Sequence, residues 1–149
     1  MLLYYTEVNM IIDKVAILIK KAALEFDRIS NQIFAEYDLT ASQYKVLKFL
    51  YAQSSGAARV VDLEKHYSMT HPTTLGLVDA LEEKGFVTRI PNPNDARGKL
   101  VALTDKSYEM QNELLKVGSD IEDRLTSNLD ADERVQLVDL LQKLLKTGE

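Results

Sequence analysis

Residues 70–104, THPTTLGLVDALEEKGFVTRIPNPNDARGKLVALT, change character twice. Thr70 is a small polar residue placed to cap a helix, and Leu75, Val78 and Leu81 follow it at helical spacing. Pro72 falls in the first turn, where a missing N–H costs nothing, and Gly85 ends the stripe as the residue best suited to a left-handed position. Phe86 to Ile90 and Lys99 to Leu103 then alternate apolar and polar residues, as two strands of a hairpin do. Asn92 to Gly98 form the expected tip, and Pro91 and Pro93 are expected to bar the ladder from extending into it. A capped helix followed by a hairpin with one arginine, Arg97, at its tip can enter a DNA major groove while the arm reaches the adjacent minor groove.

Outward from this stretch the chain is helical. Before it, Val60 to Tyr67 predicts a short helix with Leu63 inward, and Ser68-Met69 a turn. Further back, Thr40 followed three residues later by Gln43 is a capping box. It opens a helix carrying Tyr44, Leu47, Leu50 and Tyr51, and residues 53–58 read as a loop. From Met10 to Tyr37 the apolar positions Ile11, Val15, Leu18, Ala22, Phe26, Ile29 and Ile33 mark one long helix, and Ile12, Ile19 and Ala23 widen its face. After the hairpin, Thr104 caps a long helix running through Leu114, Gly118, Ile121 and Leu125. Asp130-Ala131-Asp132-Glu133 caps a last one with Leu137, Leu141 and Leu144.

The expected fold is mainly α with a small β-hairpin wing: a winged helix-turn-helix over residues 39–104, flanked by helices in 1–38 and 105–149. The flanking helices are too apolar to stand alone, so packing against the same helices of a second subunit is expected.

Composition narrows the function. The 149 residues hold 46% hydrophobic side chains and no cysteine, which sets aside disorder, disulfides and thiol-based sensing. The N-terminus carries no secretory pattern and no apolar run matches a membrane span, so a soluble cytoplasmic protein is expected. The net charge of −5 lies wholly in residues 105–149, with six basic and eleven acidic groups; residues 59–104 carry six of each. The candidate DNA-binding segment is therefore neutral, and the acidic helices can point away from a phosphate backbone.

In this order and at this spacing, Leu39-Thr40-x-x-Gln43-x-x-x-Leu47, Leu77-Val78-Asp79-x-Leu81-Glu82-x-Lys84-Gly85-Phe86-Val87-x-Arg89, and Asp95-x-Arg97 leading to Val101-x-Leu103-Thr104 resemble the MarR family of bacterial transcriptional regulators. The resemblance runs from about Ile11 to Leu145. It implies a homodimer that binds a pseudo-palindromic operator on double-stranded DNA, in the expected role of repressor, and that a small molecule releases. It also implies a ligand pocket near the dimerisation helices, for which Tyr37, Tyr44, Tyr67 and Tyr108 could offer ring faces and hydroxyls to a phenolic or aromatic effector. The alternative for these tyrosines is plain core with the hydroxyls at the surface.

The expected DNA contacts are Thr70, His71, Thr73 and Thr74 in the first helical turn, Arg97 at the wing tip, and Arg89 and Lys99 toward phosphates. Asp95 is expected to hold the Arg97 guanidinium. The bland alternative is that Thr70 and Thr73 only cap the helix. Positions where the family often carries arginine hold His71, Gly76 and Ala80, and Asp79, Glu82 and Glu83 follow, so modest affinity with reliance on thymine methyls and DNA shape is expected.

Rival classes fare worse. No nucleophilic triad, Gly-rich phosphate loop or metal cluster appears, so neither an enzyme nor a cofactor is expected. His66 and His71, even with Asp62 and Glu64 nearby, do not complete a metal sphere. A protein-interaction module on a degenerate winged helix draws support from the Asp79, Glu82, Glu83 patch and is opposed by Arg97 and the Thr-rich helix start.

Overall fold

The computed structural model describes the backbone of residues 2–146 and the side chains of residues 14–146. The chain forms two compact units: Asn31–Val117, and the residues up to Ser30 together with those from Gly118. Its elements are α1 (Leu2–Glu36), α2 (Ala41–Ala52), β1 (Ala57–Ala58), α3 (Val60–Tyr67), α4 (His71–Glu83), β2 (Val87–Asn92), β3 (Asp95–Leu103), α5 (Asp105–Glu109), α6 (Gln111–Leu115), α7 (Val117–Leu125) and α8 (Ala131–Leu145).

In the Asn31–Val117 unit, local chemistry sets the element ends. The Thr40 hydroxyl accepts from Gln43 N at 3.2 Å and Gln43 Oε1 accepts from Thr40 N at 3.1 Å, closing the capping box. Helix α4 stops at Gly85 (φ 82°), where Phe86 N donates to Leu81 O at 2.9 Å and Gly85 N to Glu82 O at 3.0 Å; this paired closure needs the left-handed conformation glycine tolerates. Val46, Leu47, Leu50, Leu63, Val78 and Leu81 face one another in a core completed by Phe86, Val87 and Val101 of the sheet side. Lys84 Nζ donates to Asp38 O at 2.7 Å and to Gln43 Oε1 at 3.0 Å, fastening the end of α4 to the start of α2. Lys106 Nζ lies 4.3 Å from the Phe86 ring centre and donates to Lys84 O.

The sheet has three antiparallel strands in the order β1-β3-β2. Three sequence expectations change here. Ala57-Ala58, read as loop, is a strand paired with Ala102 and Val101. The ladder does not stop before the prolines: it runs through Pro91↔Lys99 to Asn92↔Asp95 with an irregularity between Pro91 and Asn92, leaving Pro93-Asn94 as the tip. Strand β2 lies at the sheet edge, where a residue without an N–H is tolerated. The single helix expected after Thr104 is three pieces, α5 to α7. Its breaks follow Ser107 and Leu114, whose carbonyls accept from the Tyr51 hydroxyl and, at 2.9 Å, from the Tyr44 hydroxyl of α2; side-chain donors entering a helical ladder in this way bend or interrupt it.

The second unit is purely helical. Asp130 and Glu133 close a capping box on α8, as expected, and α8 buries none of its own residues. Val15, Ile17, Leu18, Leu24 and Phe26 of α1 are exposed as well. No helix among the described residues is long and apolar enough to cross a membrane.

Candidate nucleic-acid interface

The first turn of α4 is a polar, open helix start. Thr70 Oγ1 accepts from Thr73 N at 3.4 Å and donates to Thr73 Oγ1 at 2.9 Å, so Thr70 caps while Thr73 keeps its own proton for an outside acceptor. Thr70, His71 and Thr73 are exposed. Thr74 is not: it is fully buried and its hydroxyl donates to Thr70 O at 2.9 Å, which corrects the expectation that it faces DNA. The helical backbone turns Thr74 inward on the same face as Val78 and Leu81. His71 Nδ1 bonds the Glu64 carboxylate of α3, bracing the turn between the two helices. Gly76 is exposed, and a Cβ added there would meet nothing within 4 Å. The outer surface at Gly76 is thus open and carries no side chain of its own.

Arg97, expected on the tip, lies in the outer end of β3 because the ladder continues to Asn92↔Asp95; it is exposed, and among the described residues no hydrogen bond or ion pair restrains its guanidinium. Asp95 acts on the backbone instead: Oδ1 accepts from Arg97 N at 3.0 Å, so its expected bond to the guanidinium is replaced by a turn-stabilising one. Asn92 does the same for Asn94 N at 3.0 Å. Lys99 is exposed and, among the described residues, without an ion pair.

Arg89 departs most from expectation. Its Nη2 donates to Asp79 Oδ1 and its Nη1 to Glu82 Oε1, both at 2.6 Å. The bond to Asp79, opposed by burial and reinforced by Glu82, raises the guanidinium above its ordinary value. A guanidinium committed to two carboxylates is not presented to a phosphate, and it offsets one of their two negative charges. Lys65 on α3, not among the sequence candidates, is exposed and carries no ion pair among the described residues; its signal is its place in the helix preceding the recognition helix, which in this motif crosses the backbone.

The four candidate tyrosines are mostly engaged. Tyr44 donates to Leu114 O and its ring centre lies 4.9 Å from that of Phe34; Tyr67 donates to Lys45 O at 2.8 Å. Burial raises both hydroxyls above their ordinary range, with Tyr67 adding to the effect on Tyr44. Tyr37 is half-buried. Tyr108 is half-exposed, and its hydroxyl occupies the space a side chain at Gly56 (φ 65°) would need. Tyr51, read only as core, sits electrostatically between Tyr44 and Tyr108, and burial pushes its hydroxyl up to about 12. His66 packs its ring against Phe49 and Tyr67, away from His71's partner.

Comparison with known proteins converges on one family. The MarR family matches residues 39–99. The chain is 38% identical over 120 residues to the multiple antibiotic resistance protein MarR of Escherichia coli, covering 80% of this chain and 82% of that protein. A mutant of E. coli MarR solved with operator DNA superposes with a TM-score of 0.69 at 36% identity, over 90% of this chain and 95% of that one. Bordetella bronchiseptica BpsR, solved in work on regulation of its DNA binding by 6-hydroxynicotinic acid, superposes with a TM-score of 0.67 at 28% identity, over 90% and 94%.

Proposed function

The chain belongs to the MarR family of transcriptional regulators, and from that premise we propose that it works as a homodimer that represses from a pseudo-palindromic operator, in the cytoplasm. In this reading the winged helix-turn-helix of residues 39–104 contacts DNA and the helices in 1–38 and 105–149 pair the two copies. Thr70, His71 and Thr73 enter the major groove, Arg97 the minor groove, and Lys99 and Lys65 meet phosphates. The observation that carries the reading is Arg97, an exposed guanidinium at the outer end of β3, two residues beyond the start of the strand and with no hydrogen bond or ion pair to its side chain among the described residues. The exposed apolar residues of α1 and α8 support pairing of two copies, because side chains such as Phe26, Leu140 and Leu145 are costly to leave in water. The rival interaction-module reading is weakened, since Arg89 offsets one of the charges of the Asp79, Glu82, Glu83 patch. For release, BpsR's regulation by a hydroxylated aromatic acid supports a small aromatic or phenolic effector here, taken by the tyrosines around α2.

The test is selection from a random-site library, followed by titration of the selected duplex against salt. Two half-sites about one helical turn apart and a steep loss of affinity with salt are expected. Arg97→Ala should weaken binding roughly tenfold or more and leave the melting temperature unchanged. Unaltered affinity would remove Arg97 from the mechanism and the reading with it.

A further inference from the structure

Arg89 lies on β2 opposite Val101, and it is the outermost wing residue tied by a side-chain bond to α4. Beyond it, among the described residues, no hydrogen bond or ion pair joins the arm to the helix; the bonds of Asn92 and Asp95 stay inside the arm. The arm itself is poorly anchored. It carries the ladder irregularity at Pro91/Asn92, two prolines that donate no ladder bond, and mostly exposed side chains from Ile90 to Lys99. From Arg89 to Asn92 the strand advances roughly 10 Å, so a small rotation at Arg89 is magnified at the tip.

We infer that Arg89 is a positioning residue: its fork clamps the wing to the recognition helix, so that Arg97 and the first turn of α4 meet adjacent grooves in a fixed register. The inference rests on the DNA-binding reading above and assigns Arg89 to geometry rather than to a phosphate. The chemistry suits the task. A planar guanidinium can bond two carboxylates three residues apart on one helix face at once, which fixes both distance and rotation; an ammonium fixes neither. The Arg89 side chain is only 25% exposed, whereas Asp79 and Glu82 are 67% and 42% exposed, so the bridge is fastened from the sheet side and reaches outward to the helix. Arg59 in contrast pairs with Asp62 three residues along the same stretch, a contact that joins no two elements of the wing.

The experiment measures what Arg97→Ala costs in operator-site affinity in three full-length backgrounds: wild type, Arg89→Gln, and Asp79→Ala/Glu82→Ala, which opens the clamp from the helix side. Thermal melts check that each background is folded, and the second serves if the first is not. Under the clamp, the cost falls from roughly tenfold in wild type to roughly twofold in both backgrounds, because a wing that has lost its register no longer delivers Arg97. If the cost is the same in all three, Arg89 and Arg97 act independently and the inference is overturned while the DNA-binding reading stands. If Arg97→Ala is already silent in wild type, both fall together.

Discussion

The two units treat their apolar side chains in opposite ways. In Asn31–Val117 Val46, Leu47, Leu50, Leu63, Val78 and Leu81 of α2, α3 and α4 are fully buried, and carbonyls left by broken helices find tyrosine hydroxyls. In the other unit α8 buries none of its own residues and leaves Leu140 and Leu145 at 64% and 72% exposed. The helix is well made all the same, with a complete capping box and basic Lys143 in its last turn. Good local construction with an uncovered apolar face is what the proposed pairing of two copies requires, whereas the winged unit closes its core with its own residues.

The sharpest way to break the contrast is to make the uncovered face unfit for a partner. Leu140→Asp with Leu144→Asp should leave the single chain folded, since neither side chain is buried in it. The pair should convert a dimer to a monomer in sedimentation and lower operator affinity by roughly 10²–10⁴, the gain that linking two half-site contacts ordinarily gives. A dimer that survives these substitutions would place the contact elsewhere.

The winged unit should respond in the opposite sense. Leu63→Ala removes a fully buried side chain from between α2, α3 and α4, and should lower stability by about 2–5 kcal/mol in denaturant titration while leaving the chain dimeric. A loss below about 1 kcal/mol would mean the site collapses around the truncation.

The same contrast explains what could be read from residues alone. Caps were legible because their chemistry is local: Thr40 with Gln43, Thr70 with Thr73, Thr104 with Ser107 and Asp130 with Glu133 all span three residues. The helix-turn-helix core is legible from spacing, since Val78 and Leu81 repeat at a helical interval on α4 and Leu63 is the inward residue of the short helix before it. What escaped depends on residues far apart in the chain. Ala57-Ala58 becomes a strand only because β3 lies beside it, and the helix after Thr104 breaks where α2 tyrosines reach its carbonyls. Arg89 looked like a phosphate contact because Asp79 and Glu82 lie seven to ten residues away, on an element whose orientation to the strand no local pattern states. Thr74 escapes for a local reason: a hydroxyl in the first turn reads as polar surface, yet bonding to Thr70 O lets it be buried.

Tyr51 offers the smallest and most selective test of the closed unit. Its hydroxyl donates to Ser107 O across the packed face between α2 and α5, and burial raises it from 10.0 to about 12. The folded state therefore favours the neutral hydroxyl. The contribution is complete below pH 10, where the phenol is protonated in both states, and it disappears as pH climbs from there through about 12, because the unfolded chain releases the proton first. Tyr51→Phe keeps the ring and deletes the donor, so it should cost about 1 kcal/mol at neutral pH. Its stability should also fall less between pH 10 and 12 than that of wild type, in paired thermal melts read against pH. Parallel pH profiles for the two proteins would show that the hydroxyl is solvated in the folded chain, and would weaken the view that α2 tyrosines, rather than a partner, complete this unit's polar core.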